Sequence, residues 1–112
     1  MASLIGHEAE QVAKQYLLEH SLVFVEQNYK AKVGEIDLIM LDQQQLVFVE
    51  VKCRSTDSHG CAAEQFTFKK RKRLERTINY YLLQKKLNIH HTNLRIDVVA
   101  IDGEQVNWIK NV

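Results

Sequence analysis

Residues 34–54 read GEIDLIMLDQQQLVFVEVKCR, and the fold turns on this stretch. Two apolar runs, 35–41 and 46–53, flank the polar loop Asp42-Gln43-Gln44-Gln45, a spacing that predicts two strands joined as an antiparallel hairpin. The unbroken apolar start of the second, Leu46-Val47-Phe48-Val49, predicts burial on both faces. Alternate strand residues share a face, so Glu35 projects with Asp37, and Glu50 with Lys52. If the hairpin closes symmetrically with Asp42 opposite Gln45, Asp37 faces Glu50 and Glu35 faces Lys52. Opposed side chains have Cβ atoms about 5 Å apart, and like charges so placed are destabilising. Something positive is expected between the two acids.

Charges that follow directly on a buried run sit at its edge, where they are costly unless paired or coordinating a metal. Hard cations such as Mg²⁺ prefer carboxylate oxygen, keep several waters and suit phosphate substrates. Three other arrangements would also accommodate the pair. Lys52 alone could neutralise it, one carboxyl could stay protonated because its neighbour raises its pKa, or a bulge could shift the register and separate the acids. Upstream, residues 4–20 repeat at helical spacing, with Ile5, Ala9, Val12, Ala13, Tyr16 and Leu17 gathering on one side and Ser3 as N-cap. At about 100° per residue, Glu10 falls about 60° from Ala13 and Glu8 about 140° away on the other side. Glu10 therefore borders the buried stripe and is a further candidate ligand, although a surface glutamate beside an amphipathic stripe is the plainer reading. Gly6, one turn earlier, would leave room for a ligand to approach.

Working outward, residues 22–29 read as a short strand and residues 55–60 as a polar connection. Leu74, Ile78, Tyr81 and Leu82 mark a long helix ending near Leu87. Strands at 94–101 and 105–109 are joined by Asp102-Gly103, a strong hairpin signal. The order is αβββαββ, an α/β fold with one mixed β-sheet flanked by helices. At 112 residues the chain reads as a single domain spanning 1–112. Its 46% hydrophobic and 26% charged residues are ordinary for a globular protein. No apolar run approaches the roughly 20 residues that cross a bilayer, and residues 1–7 lack a cationic start followed by an apolar run, so a cytoplasmic protein with no membrane partner is expected. Cys53 and Cys61 form neither a disulfide framework nor a paired metal site; Cys53 alternates with Lys52 and should pack on the other face. His7, His20, His59, His90 and His91 form no spaced ligand set, and His59 reads as a solvated loop residue. Tyr80, Tyr81 and Trp108 read as packing residues before base-stacking ones.

The net charge of +1 conceals an uneven division. Between Lys52 and Arg76 stand eight basic residues (Lys52, Arg54, Lys69, Lys70, Arg71, Lys72, Arg73 and Arg76) against three acidic ones, a local +5 that leaves −4 for the rest. A basic quarter of this kind presents a local field to a polyanion, though a solvated lysine-rich helix face has the same composition.

These residues carry a resemblance over nearly the whole chain. Gly6-His7-Glu8-Ala9-Glu10-Gln11-Val12-Ala13, Tyr16-Leu17, Asn28-Tyr29, Gly34-Glu35-Ile36-Asp37-Leu38-Ile39, Phe48-Val49-Glu50-Val51-Lys52-Cys53-Arg54, Gly60, Lys70 and Arg95-Ile96-Asp97-Val98-Val99 resemble the YraN-like family of small bacterial proteins. That family is similar to the PD-(D/E)xK nucleases, and in plan to archaeal Holliday-junction resolvases, which implies a restriction-endonuclease-like fold. The resemblance implies that Asp37 and Glu50 hold Mg²⁺ or Mn²⁺, that Lys52 orients or activates the attacking water, and that Glu10 completes the site. Ile36 departs from the superfamily's proline, and Ser21 stands where a glycine usually follows the first helix.

The expected function is a metal-dependent endonuclease hydrolysing DNA phosphodiester bonds. Arg54, Lys69, Lys70, Lys72, Arg73 and Arg76 would contact the backbone. Such contacts supply affinity without sequence information, so preference for branched or structured DNA is expected over sequence readout. RNA remains open as a substrate. Resolvases of similar plan act as dimers, which implies a homodimer on a two-fold substrate. Two other classes fit the same residues: a nucleic-acid-binding module without turnover, and a protein-interaction domain whose basic helix binds an acidic partner.

Overall fold

The computed structural model describes residues 6–54 and 62–112. In chain order these form α1 (Gly6–Glu19), β1 (Val23–Ala31), β2 (Gly34–Asp42), β3 (Gln45–Arg54), a 3-10 turn (Ala62–Gln65), α2 (Phe68–Gln84), β4 (Leu94–Asp102) and β5 (Gln105–Ile109). This is the expected αβββαββ order, a mixed sheet flanked by two helices. The strands lie in sequence order, all neighbours antiparallel except β3 and β4. A parallel neighbour requires a crossover, which α2 supplies. Ser3, Ile5, the 55–60 connection with His59 and Gly60, and Cys61 lie outside the described residues.

The sheet separates two apolar layers. On one face, Ala9, Ala13 and Leu17 of α1 pack on Leu38, Met40, Val47, Val49, Val51, Val99 and Ile101. On the other, Leu74, Ile78, Tyr81 and Leu82 of α2 pack on Tyr29, Ile36, Ile39, Phe48 and Ile96. Burial on both faces explains the continuous apolar run at the start of β3. Val12 was expected in the α1 stripe but is 36% exposed; it lies about 100° from Ala13 around the helix, which carries it clear of the sheet.

Both helices end without glycine. Ser21 adopts φ 72° while the Leu22 N–H donates to Leu17 O at 3.1 Å. Lys86 adopts φ 60° while the Leu87 N–H donates to Leu82 O at 2.8 Å. Each is a left-handed cap that satisfies carbonyls of the last turn. Ser21 thus takes the conformation a glycine would be chosen for. The same cap explains why α2 stops at Gln84 when the apolar pattern reaches Leu87, the apolar residue beyond the cap. At its other end Thr67 caps α2, its hydroxyl accepting from the Lys70 N–H at 3.3 Å.

Candidate functional site

The β2–β3 ladder follows the register set by the hairpin, from Asp42↔Gln45 to Leu38↔Val49, and there it stops. Beyond that point β2 stays with β1 as far as Ala31↔Gly34, and β3 stays with β4 as far as Arg54↔Asp102. The sheet forks. The expected ladder pairs Asp37–Glu50 and Glu35–Lys52 therefore do not form. Instead Asp37 Oδ2 accepts the Val51 N–H at 2.8 Å, taking the place a strand carbonyl would occupy and holding the fork open.

The fork coincides with a break in strand alternation. Ile36 packs on the α2 side and Leu38 on the α1 side, although residues two apart in a regular strand share a face. Across β1, Gln27 pairs with Leu38 and Tyr29 with Ile36, which sets Asn28 opposite Asp37. Asn28 has φ 54°, a left-handed conformation that asparagine tolerates better than most residues. Ile36 is fully buried and adds to the α2-side core.

Four candidate side chains meet at the fork, lining a cavity of about 680 Å³: Glu10 from α1, Asp37 from β2, and Glu50 and Lys52 from β3. Glu10 is half-buried and Glu8 exposed, as the helix periodicity indicates. Asp37 stands between the two glutamates. Burial, then the Asp37 charge, raises the Glu10 pKa to about 7, a rise opposed by a hydrogen bond from Asn28. Burial, then the same Asp37 charge, raises the Glu50 pKa to about 8, opposed by Lys52. Lys52 Nζ lies 3.3 Å from Glu50 Oε2.

Of the three metal-free ways of tolerating the acids, an ammonium partners Glu50 and two carboxyl pKa values are raised, whereas the acids are parted by the end of the ladder and not by a bulge between β2 and β3. None closes the site. Three carboxylates against one ammonium leave a formal −2 when ionised, the charge a divalent cation offsets. The set is all-oxygen, as hard cations require, and it borders open space. Among the described residues no three acids, cysteines or histidines stand already gathered as a metal cluster; Glu50 is paired with Lys52, and Asp37 accepts from the Val51 amide.

The structure sorts the predicted basic residues. Lys70 and Arg73 line the cavity; Lys69, Lys72, Arg76 and Arg54 do not. Lys69, Lys72 and Arg76 are exposed on α2, and Lys72 pairs with Glu75 at 3.5 Å. Arg54 is half-buried near the end of β3. Sequence reasoning missed Lys30 and Lys32, which also line the cavity, and Asn28. The available signal was Lys30-Ala31-Lys32, one residue short of Gly34. Tyr81 is buried against Tyr29 and Phe48, and Trp108 donates to Asp97 at 2.9 Å. Both are packing residues; Tyr80 is 47% exposed. Cys53 packs on the α1-side core, opposite in face to Glu50 and Lys52. No helix among the described residues is long and apolar enough to cross a membrane.

Comparison with known proteins defines a class by family. The profile of the uncharacterised protein family UPF0102 matches residues 9–101, from α1 into β4. The chain is 47% identical over 108 residues to a UPF0102 protein of Aliivibrio fischeri (strain MJ11), covering 95% of this chain and 88% of that one. Over the same shares it is 44% identical to one from Vibrio cholerae, and a Colwellia psychrerythraea relative is 43% identical over 110 residues, covering 95% and 85%. This chain belongs to the UPF0102 family, the YraN-like proteins.

Proposed function

We propose that this protein is a Mg²⁺- or Mn²⁺-dependent phosphodiesterase acting on DNA, and that it stands within the PD-(D/E)xK nuclease superfamily. The observation that carries the reading is the fork, which brings Glu10, Asp37, Glu50 and Lys52 from three elements to one cavity beside a basic helix. Asp37, Glu50 and Glu10 would hold the ion. When bound, it would acidify water and neutralise charge on phosphate oxygens. Asp37 is braced by the Val51 amide, so its carboxylate is fixed to the sheet before any ligand arrives. Lys52 directs its ammonium toward charge developing on phosphate, in a half-buried setting where such a donor is worth more than in water. Water oxygen bonds to phosphorus, the ester P–O bond breaks, and the products are a phosphate monoester and a free hydroxyl. The experiment is incubation with Mg²⁺ or Mn²⁺ and a panel of duplex, flapped and four-way DNA. Metal-dependent cutting lost in Lys52→Ala is expected; no cutting of any substrate, or undiminished cutting by Lys52→Ala, overturns catalysis.

The Glu50–Lys52 ion pair favours a second reading, a binding module without turnover, because it already satisfies Glu50 without an ion. That reading expects salt-sensitive DNA binding that survives Asp37→Asn, with no calorimetric signal for Mg²⁺.

A further inference from the structure

The basic residues differ in partnership: at the cavity only Lys52 is paired, with Glu50, and away from it Lys69, Arg76, Lys86 and Lys110 are without an ion pair among the described residues. Arg71 and Lys72 pair with Glu75, Lys85 with Glu26, and Arg95 with Asp42 and Asp97. Lys30, Lys32, Lys70 and Arg73, which line the fork cavity, make no ion pair among the described residues. Even Lys30, whose Cα partner across the strands is Glu35, is not paired with it. Four solvated cations without an ion pair line the same cavity as Glu10, Glu35, Asp37 and Glu50, and such cations can face an external anion.

Their roots are fixed, and on opposite sides. Ala31↔Gly34 closes β1 and β2 into a hairpin whose loop is only Lys32 and Val33, so Lys32 rides on a tight turn. Tyr29 and Ala31 pack on the α2 side, which by alternation sets Lys30 on the other side of the sheet. Lys70 and Arg73 come from α2. That helix lies hard against the hairpin: a Cβ on Gly34 would meet Thr77 Oγ1 at 2.7 Å and Arg73 Cγ at 3.3 Å, at a φ of 154°. The fork cavity is thus lined by basic residues of the hairpin and of α2 together with the carboxylates.

We infer that the Lys30–Lys32 hairpin is a second phosphate-binding wall, gripping the nucleic-acid backbone on one side of the scissile phosphate while Lys70 and Arg73 grip it on the other. This rests on the phosphodiesterase reading and adds to it residues that no motif singled out. Each lysine that neutralises a phosphate releases a counterion, so the two together contribute about 2 to the slope of log K against log salt.

The test is fluorescence anisotropy of labelled duplex and four-way DNA across a salt series, with Ca²⁺ in place of Mg²⁺. It uses the parent, Lys30→Ala/Lys32→Ala and Lys70→Ala/Arg73→Ala, with Lys30→Gln/Lys32→Gln as a milder hairpin variant. The expected result is a loss for the hairpin variants on the order of tenfold at 0.1 M salt with a slope lower by about 2, and unchanged affinity for Ca²⁺ by calorimetry. A hairpin variant that binds DNA as the parent does at every salt, while the α2 variant weakens, overturns the hairpin wall and leaves the phosphodiesterase reading standing. A parent that binds neither DNA at low salt overturns both.

Discussion

Two acidic constellations lie in this sheet, one on β4 and one at the fork, and they solve the problem of a buried carboxylate in opposite ways. Asp97 is fully buried, and its oxygens accept from the Arg95 guanidinium at 3.0 Å, Trp108 Nε1 at 2.9 Å and the Asn111 N–H at 2.9 Å. Arg95 in turn reaches Asp42 at 2.9 Å and Gln45 at 2.8 Å. Every oxygen is satisfied, so the network joins β2, β3, β4 and β5 and is built for stability. At the fork, two of three acids are pushed up by burial and by their neighbour. Carboxylates perturbed by burial and by a like-charged neighbour cluster at functional sites.

The largest effect that separates the two regions is expected at Asp97. Asp97→Ala leaves Trp108 Nε1 and the Asn111 N–H without their acceptor and Arg95 with Asp42 as its remaining carboxylate, and should cost about 3 kcal/mol, read as a fall in the urea midpoint. At the fork the large effect falls on chemistry. Lys52→Ala should lower cleavage about 10²–10³-fold in a rate assay while leaving DNA binding in place. One substitution made in both places sharpens the contrast. Asp97→Asn should lower Tm, whereas Asp37→Asn should hold or raise it at about pH 8, because it removes the charge between Glu10 and Glu50, yet abolish the calorimetric Mg²⁺ signal. A fall in Tm of similar size for both would erase the distinction.

The pH dependence follows from the raised pKa values. Glu10 and Glu50 bind protons in the folded protein that they lose when unfolded, so their contribution to stability is present in acid and lost as pH rises through about 7 and 8. Without divalent ions, Tm should decline between about pH 5 and 9 more steeply in the parent than in Glu50→Gln. Mg²⁺ should displace those protons, seen as proton release in calorimetry across buffers. The smallest effect is expected at Asn28. Asn28→Ala places an ordinary residue at φ 54° and should cost about 1–2 kcal/mol; Asn28→Gly should spare the backbone but lose the hydrogen bond to Glu10, moving that group's titration upward by NMR.

Much of the site is legible in the chain itself. Hairpin spacing fixes the pairing of Leu38 with Val49, alternation places Glu50 with Lys52 and apart from Cys53, and helical periodicity prefers Glu10 to Glu8. Each depends on a period set by covalent geometry. The basic residues were legible as charge but not as position: of the six assigned to nucleic acid, α2 packing turns only Lys70 and Arg73 into the cavity, and Lys30 and Lys32 reach it from a hairpin that carried no charge run.

The αβββαββ order, the β2–β3 register from Asp42–Gln45 to Leu38–Val49 and the choice of candidate acids were legible from local pattern, because backbone periodicity and side-chain burial act over a few residues. Where the ladder stops was decided only in three dimensions. A strand leaves its neighbour when other partners satisfy its backbone better, here β1 beside β2, β4 beside β3 and the Asp37 carboxylate at the Val51 amide, and that competition involves segments distant in the chain.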